Sequence, residues 1–169
     1  MRTRDLKAAL REEQKYMSVK KVDVLPRNHF NKKRNRSFPS AFIINTDDWP
    51  GVGGVHWVAV WFDRYKRAIF FDSLGKHPSH YKFQIKPYQW NKKCYQGESD
   101  LCGEYSLFFI MFMIRGSDLK WIQRRFSKDK RKNDDYIRSY FYRLKPCCGP
   151  SNSTDVDQTC KIHCHNGGR

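Results

Sequence analysis

Cys102 has the sequence position that most favours nucleophilic chemistry. It precedes Gly103 and a run of apolar residues long enough for about three helical turns. The sequence therefore predicts a buried helix with Cys102 at its start. The N–H groups and the dipole at a helix start favour a thiolate, which is the reactive form of cysteine. Cysteine is also often a small buried hydrophobe, so the interpretation depends on other residues.

A predicted β-hairpin supplies the two partners that a cysteine nucleophile needs. Residues 55–62 and 68–71 have strand composition on either side of a polar turn. If the hairpin folds about Arg64, His56 lies opposite Asp72, and a two-residue change of register leaves them diagonal neighbours. Imidazole and carboxylate would then touch. Such a pair gives the thiol a base, and gives the base an acid that fixes its tautomer.

These residues resemble those of the adenain-like cysteine proteases, and in particular the proteases of Polinton (Maverick) transposons and adintoviruses. The resemblance spans roughly residues 22–145 and lies in GGVHW, FFDSLG and SDLCG, together with Gln96. It implies that Cys102 is the nucleophile and His56 the general base. It further implies that Asp72 orients the base and that Gln96 is an oxyanion-hole donor beside the Cys102 backbone N–H.

The element order predicts an α+β fold, with a small mixed β-sheet packed against the helix that begins at Cys102. The resemblance implies the same papain-like, adenain-like architecture, with the active site between that helix and the strand bearing His56. We expect one protease domain over residues 1–145, which includes a basic N-terminal segment at 1–40. Residues 146–169 should be a flexible tail that contains Cys and His.

The resemblance implies a cysteine endopeptidase that cleaves structural precursor proteins of a virus or transposon, such as capsid precursors, after small residues such as Gly. No cofactor is required for that chemistry. Two alternatives are a protease that removes SUMO- or ubiquitin-like modifiers, and a basic DNA-binding module on a protease scaffold that has lost activity. The first shares the same four residues, and the second is disfavoured because all four are present.

The chain carries 33 basic and 17 acidic side chains, a net charge of +16. A basic surface of this kind can bind a phosphate backbone through counterion release without reading bases, although a merely solvated surface is the simpler interpretation. DNA is a cofactor of adenoviral proteases, so the resemblance favours non-specific DNA as a partner and activator. The candidate contacts are Lys32, Lys33, Arg34, Lys130, Arg131 and Lys132.

The sequence predicts a protein used inside cells without a membrane partner, and the resemblance implies a host nucleus or a virion-like particle. No signal-like apolar run occurs in residues 1–20, and Leu107–Ile114 is too short to span a bilayer. Apolar content suits one globular domain, expected as a monomer. Zinc binding by the tail is an alternative to disorder there, but the spacing of its ligands is not standard. The candidate ligands are Cys147, Cys148, Cys160, His163, Cys164 and His165.

Other patterns predict supporting elements and weaker candidates. Helices are expected at residues 5–17, 118–125 and 132–144, the last with Asp134 and Asp135 in its first turn, and a strand is expected at 92–95. His77 and His80 are less favoured bases because they lie in a polar loop without an opposed carboxylate. Cys94 lacks the helix start that Cys102 has.

Overall fold

The computed structural model describes residues 3–15, 19–32, 37–50 and 55–143. In these ranges, helices and strands form a mixed α+β fold with one small sheet. In chain order the elements are α1 (Thr3–Lys15), β1 (Lys21–Pro26), α2 (Arg27–Lys32), β2 (Ser40–Asn45), β3 (Trp57–Phe62), β4 (Ala68–Phe71), a 3-10 helix (Pro78–Tyr81), β5 (Gln89–Trp90), α3 (Cys102–Ile114), α4 (Leu119–Gln123) and α5 (Lys130–Arg143).

The sheet follows the chain, with the order β1-β2-β3-β4-β5. The three central strands are antiparallel, and each edge strand is parallel to its neighbour. Strand β3 is buried at every position because both faces of the sheet are covered, which explains its unbroken apolar sequence WVAVWF. One face packs on α3, whereas the other packs on a cluster that includes Phe30 and Phe83.

Helix α3 is the buried helix that the sequence predicts. It is apolar around its whole circumference, and its side chains are buried except for those of Glu104 and Phe112, which are partly exposed. Helices of this kind occur only where every side is covered. Here β2, β3, α1, α4 and α5 provide the cover. The first residue of α3, Cys102, is therefore fixed by the packing of the whole core.

The β3–β4 hairpin is confirmed, but a fold about Arg64 is wrong. Strand pairing joins Ala59 to Phe71, which centres the turn on the residue after Arg64. The reason is a three-residue loop closed by Asp63: its carbonyl accepts from Lys66 N at 3.0 Å, and Lys66 takes a left-handed φ of 65°. The register therefore differs by two residues from direct opposition of the predicted pair.

Two further predictions are wrong. Residues 92–95 form no strand, and β5 lies earlier, at Gln89–Trp90. Helix α5 begins at Lys130 rather than at residue 132, because the Asp129 carboxylate accepts from Arg131 N at 3.0 Å and caps the helix. Asp134 and Asp135 consequently lie in the second turn. The structure also contains strand β1 and helix α2, which the sequence analysis did not predict.

Helix α4 lies inside the predicted range of 118–125 but is shorter, and the Asp118 side chain accepts from Trp121 N at 2.6 Å as its N-cap. Within the described ranges, the helices are too short or too polar to cross a membrane. The same ranges contain no group of three or more His, Cys, Asp or Glu side chains that could hold a metal ion. Lys33, Arg34 and the predicted zinc ligands of the tail lie outside the described residues.

Substitution of Gly75 tests how closely the turn after β4 packs against its neighbours. It has a φ of 72°, and a Cβ atom built there would lie 2.6 Å from the Lys93 carbonyl carbon. Gly116 has a φ of 86° with open space around it. Gly116→Ala should cost about 1–2 kcal/mol, the strain of a left-handed non-glycine residue. Gly75→Ala should cost clearly more, because backbone must also move. Free energies of unfolding in urea check this, and equal losses would contradict the packing.

Candidate active site

His56 and Asp72 lie at the open ends of the two paired strands. His56 precedes β3 and Asp72 follows β4, so the observed register makes them diagonal neighbours. The two side chains nevertheless form a hydrogen bond, since His56 Nε2 lies 2.6 Å from Asp72 Oδ1. A carboxylate can only accept, so Nε2 carries the proton of this bond. The backbone of His56 is held as well, because its carbonyl accepts from Thr46 N at 3.0 Å.

The Asp72 carboxylate is fully buried and accepts from four donors. Oδ1 accepts from His56 and from Leu74 N at 3.0 Å, and Oδ2 accepts from Lys76 N at 2.9 Å and from Tyr81 Oη at 2.9 Å. Its main chain is also fixed, since Asp72 N donates to the buried Asn91 side chain at 2.8 Å. A buried carboxylate is costly unless it is hydrogen-bonded, and here every oxygen has two partners.

Cys102 is the third residue of the candidate site. It is the first residue of α3 and is 8% exposed. Its sulfur lies near enough to the His56 ring to raise the pKa of that ring. Since Nε2 is engaged with Asp72, Nδ1 is the nitrogen left for the sulfur. The residue that precedes the helix, Leu101, makes no side-chain capping hydrogen bond to α3.

The charges around His56 raise its pKa. Burial by itself lowers the pKa, but the hydrogen bonds and negative charges of Asp72 and Cys102 outweigh burial and raise it to about 9. The ring is therefore an imidazolium at neutral pH. A nearby imidazolium stabilises a thiolate, the nucleophilic form of cysteine.

Gln96 lies in the loop that leads to Cys102 and is buried. Its Oε1 accepts from the Ser73 hydroxyl at 2.6 Å, and its Nε2 donates to the Ser99 carbonyl. These partners fix the amide, because oxygen faces a donor and nitrogen faces an acceptor. A carboxamide nitrogen has two N–H groups, so one remains after the bond to Ser99. The role of Gln96 as an oxyanion donor stays a prediction.

The weaker candidates lie elsewhere. His77 and His80 are exposed around the 3-10 helix, where His77 Nδ1 contacts Ser79 Oγ at 2.8 Å. Cys94 is half-buried, and its thiol donates to the Gln96 carbonyl at 3.4 Å. Within the described residues, neither histidine is bonded to a carboxylate in the way His56 is.

Tyr81, Asn91 and Ser73 are site residues that sequence reasoning missed. The Tyr81 ring lies 5.7 Å from the His56 ring, centroid to centroid, and its hydroxyl binds Asp72. Burial, then the charge of Asp72, raises the Tyr81 pKa, so the phenol stays a donor. No hydrophobic periodicity in the sequence predicts the positions of Tyr81 and Asn91, because irregular segments bring them to the site. Ser73 directly follows Asp72 in the sequence, and this adjacency could have indicated that it lies in the site.

A cavity of about 400 Å³ lies beside the His56 end of β3. Its walls include Trp57, Leu25 and the loop after β2, where Trp49 is 64% exposed. Helix α2 holds that loop, because Arg27 pairs with Asp48 at 2.7 Å. This surface is largely apolar and open.

The predicted DNA contacts within the described ranges do not all border the same surface cavity. Lys32 borders a cavity formed by α2 and the segment around Lys82. Lys130 and Arg131 border a different cavity, which they share with the acidic Glu98. Lys132 is exposed. These positions therefore stay predictions, and their surroundings are of mixed charge.

A protein of Acanthamoeba polyphaga mimivirus named "Putative thiol protease" is 31% identical to the chain over 134 residues. The alignment covers 67% of this chain and 44% of the mimivirus protein, so the chain spans less than half of that relative's length. No protein-family profile matches the chain. The chain is therefore similar, over part of both sequences, to a viral protein named as a thiol protease.

The raised pKa of His56 can be measured directly. Its folded pKa of about 9 exceeds the ordinary value of 6.5, so protonation of the ring stabilises the folded protein. That contribution is complete below about pH 6.5 and is lost as pH rises through 9. Imidazole NMR should give a midpoint near 9 in the parent and a lower one in Cys102→Ala. A midpoint near 6.5 in both proteins would contradict the ion-pair geometry.

Proposed function

We propose that the protein is a cysteine endopeptidase that forms an acyl-enzyme at Cys102. The observation that carries the proposal is the His56–Asp72 pair: Asp72 Oδ1 lies 2.6 Å from His56 Nε2, and Cys102, at the start of a buried helix, lies near enough to raise the pKa of the same ring. Three residues from separate parts of the chain meet in the arrangement that activates a thiol nucleophile. The viral thiol-protease relative supports the same class.

The geometry supports a two-stage reaction. The Cys102 thiolate attacks the peptide carbonyl, so that a C–S bond forms and the carbonyl electron pair moves to oxygen. When that intermediate collapses, the C–N bond breaks and His56 gives its proton to the leaving amine. The neutral ring then takes a proton from water, and the resulting hydroxide attacks the thioester. The C–S bond breaks, which returns the thiolate and the imidazolium.

Asp72 and Gln96 also have defined roles in the proposed reaction. Asp72 keeps the ring oriented and stabilises its positive charge without being protonated itself. The free N–H of Gln96 Nε2 and the backbone N–H of Cys102 are the donors for the oxyanion. We propose an adenain-like, papain-like fold on the strength of the sequence resemblance. The substrates would be viral or transposon structural precursors cut after small residues such as Gly, by a monomer working inside a cell or a virion-like particle.

Electrophile labelling tests the nucleophile and its base. Iodoacetamide should label Cys102 quickly near neutral pH, and His56→Ala should slow the labelling sharply, because the imidazolium that stabilises the thiolate is lost. Cys94→Ser is the matched control and should label like the parent. Intact mass and peptide mapping give the rates and sites. Equal labelling in the parent and His56→Ala, or labelling mainly at Cys94, would contradict the assignment.

The substrate class needs a separate assay. Peptides from capsid-type precursors, assayed beside ubiquitin-like conjugates, separate precursor cleavage from deconjugation.

A basic groove favours nucleic-acid binding as a second property. A surface depression of about 880 Å³ lies between the β5 loop and the α4–α5 connection. Among the described residues that line it, all charged side chains are basic, and aromatic Trp90 and Phe126 lie beside them. Such a groove suits a phosphate backbone. The basic residues are Lys92, Lys93, Lys120, Arg124 and Lys128.

We therefore expect sequence-independent duplex DNA binding that weakens steeply as salt rises from about 50 to 200 mM. Replacing Lys120, Arg124 and Lys128 with Gln should weaken binding and flatten the salt dependence. The triple change of Lys130, Arg131 and Lys132 to Gln should have the smaller effect, because acidic groups share that surface. Fluorescence anisotropy with two unrelated duplexes measures both. The reverse ranking, or affinity that ignores salt, would count against the groove.

A further inference from the structure

Helix α5 reaches across the molecule to the loop that carries Gln96. Two of its side chains are responsible: Asn133, 2% exposed, and Asp134, 6% exposed. Asn133 Nδ2 donates to the Tyr95 carbonyl at 3.0 Å, and Gly97 N donates to both carboxylate oxygens of Asp134, each at 3.2 Å. Gln96 is the residue between these two anchored peptide groups. We name the two side chains the α5 clamp.

The clamp also contacts the helix of Cys102. Asp134 Oδ1 accepts from the Tyr105 hydroxyl at 2.9 Å, and Tyr105 lies on α3 one turn after Cys102. Burial, followed by the hydrogen bond to Asp134, raises the Tyr105 pKa, so the phenol remains a donor. One carboxylate therefore links the Gln96 loop to the helix that positions the thiol.

The opposite side of the loop is fixed by Ser73. Its carbonyl accepts from Tyr95 N at 2.8 Å and from Gln96 N at 3.1 Å, and its hydroxyl binds the Gln96 side chain. The loop is thus held between Ser73 and the α5 clamp. An oxyanion donor is effective only when its position is set before the reaction, because reorientation during the reaction costs free energy.

Gly97 shows how closely the clamp approaches. A Cβ atom at this position would lie 2.7 Å from Asp134 Oδ2, a distance that real Cβ atoms do not adopt. A side chain at position 97 would therefore displace the Asp134 carboxylate or the loop. The exposed neighbour Asp135 instead pairs with Arg138 at 2.9 Å on the solvent side of α5.

We propose that Asn133 and Asp134 are positioning residues that place Gln96 for oxyanion binding. The inference rests on the proposed peptidase function and deepens it. Sequence reasoning assigned Asp134 to helix electrostatics, whereas its buried carboxylate points to a neighbouring loop. The residue does not touch the reacting atoms and acts through Gln96.

Kinetics of Asp134→Ala, beside Asp135→Ala as matched control, test the functional role. Gln96→Ala should lower kcat by about 10²–10³, the loss typical of one oxyanion donor. Asp134→Ala should lower kcat by up to that amount with KM changed less than about twofold, and Asp134→Asn, which keeps an acceptor, should recover part of the loss. Asp135→Ala should match the parent. Adding Asp134→Ala to Gln96→Ala should cost little more, because both act on one donor.

Alkylation separates positioning from general damage. Iodoacetamide uses the thiolate but forms no oxyanion, so its rate at Cys102 should be unchanged in Asp134→Ala. A peptide aldehyde forms a tetrahedral adduct when sulfur bonds to carbon and the carbonyl pair moves to oxygen, so its affinity should fall with kcat. Gly97→Ala, which displaces the carboxylate sterically, should reproduce the losses if Asp134→Ala does not fold. Parallel losses in alkylation and hydrolysis, or fully additive losses with Gln96→Ala, would overturn the proposal.

Hydrogen exchange tests the clamp independently of activity. Amides of residues 95–99 should exchange faster in Asp134→Ala than in Asp135→Ala, whereas those of β3 should not change. Unchanged exchange at 95–99 would overturn the clamp. If the parent alkylates quickly but cleaves no peptide, the proposed function fails and the exchange result still decides the clamp.

Discussion

The buried carboxylate of Asp72 is the constraint on which the candidate site depends. An ionised group without exposure is stable only when its oxygens are hydrogen-bonded, and Asp72 meets this condition through His56, Tyr81 and two backbone amides. The turn after β4 supplies both backbone amides, so the orientation of His56 depends on that turn. Because His56 Nε2 is taken by this bond, the ring presents Nδ1 to the sulfur. The hydrogen bonds that stabilise the buried Asp72 carboxylate therefore also set the orientation of the His56 ring.

The neighbouring residue extends this constraint to the second half of the site. Ser73 is also fully buried, and its hydroxyl and carbonyl hold Gln96 and its backbone. Two consecutive residues at the end of β4 thus position the base and the oxyanion donor. Helix α3 supplies the thiol from the other side, and its apolar circumference fixes the sulfur through the core. The base, the donor and the nucleophile are therefore fixed by one sheet edge and one helix.

Much of this arrangement could be predicted from sequence, for identifiable reasons. The apolar run after Cys102 allows only a buried helix, and the hairpin keeps His56 and Asp72 adjacent even though its register differs by two residues from the prediction, since diagonal neighbours still touch. Contacts that depend on irregular loops left no such signal. Tyr81 reaches Asp72 through a 3-10 turn, and Asp134 reaches Gly97 across the fold, where neither periodicity nor spacing indicates a partner.

The acyl-enzyme is the most direct test of the account. A p-nitrophenyl ester of an N-acylated glycine, mixed in stopped flow with the protein, should release nitrophenol in a burst of one equivalent, and intact mass should show the acyl group on Cys102. Asp72→Asn should keep the fold but slow the burst by orders of magnitude, since an amide cannot hold the His56 tautomer and charge in the same way. A burst of equal rate in the parent and Asp72→Asn, or an acyl group on Cys94, would contradict the account.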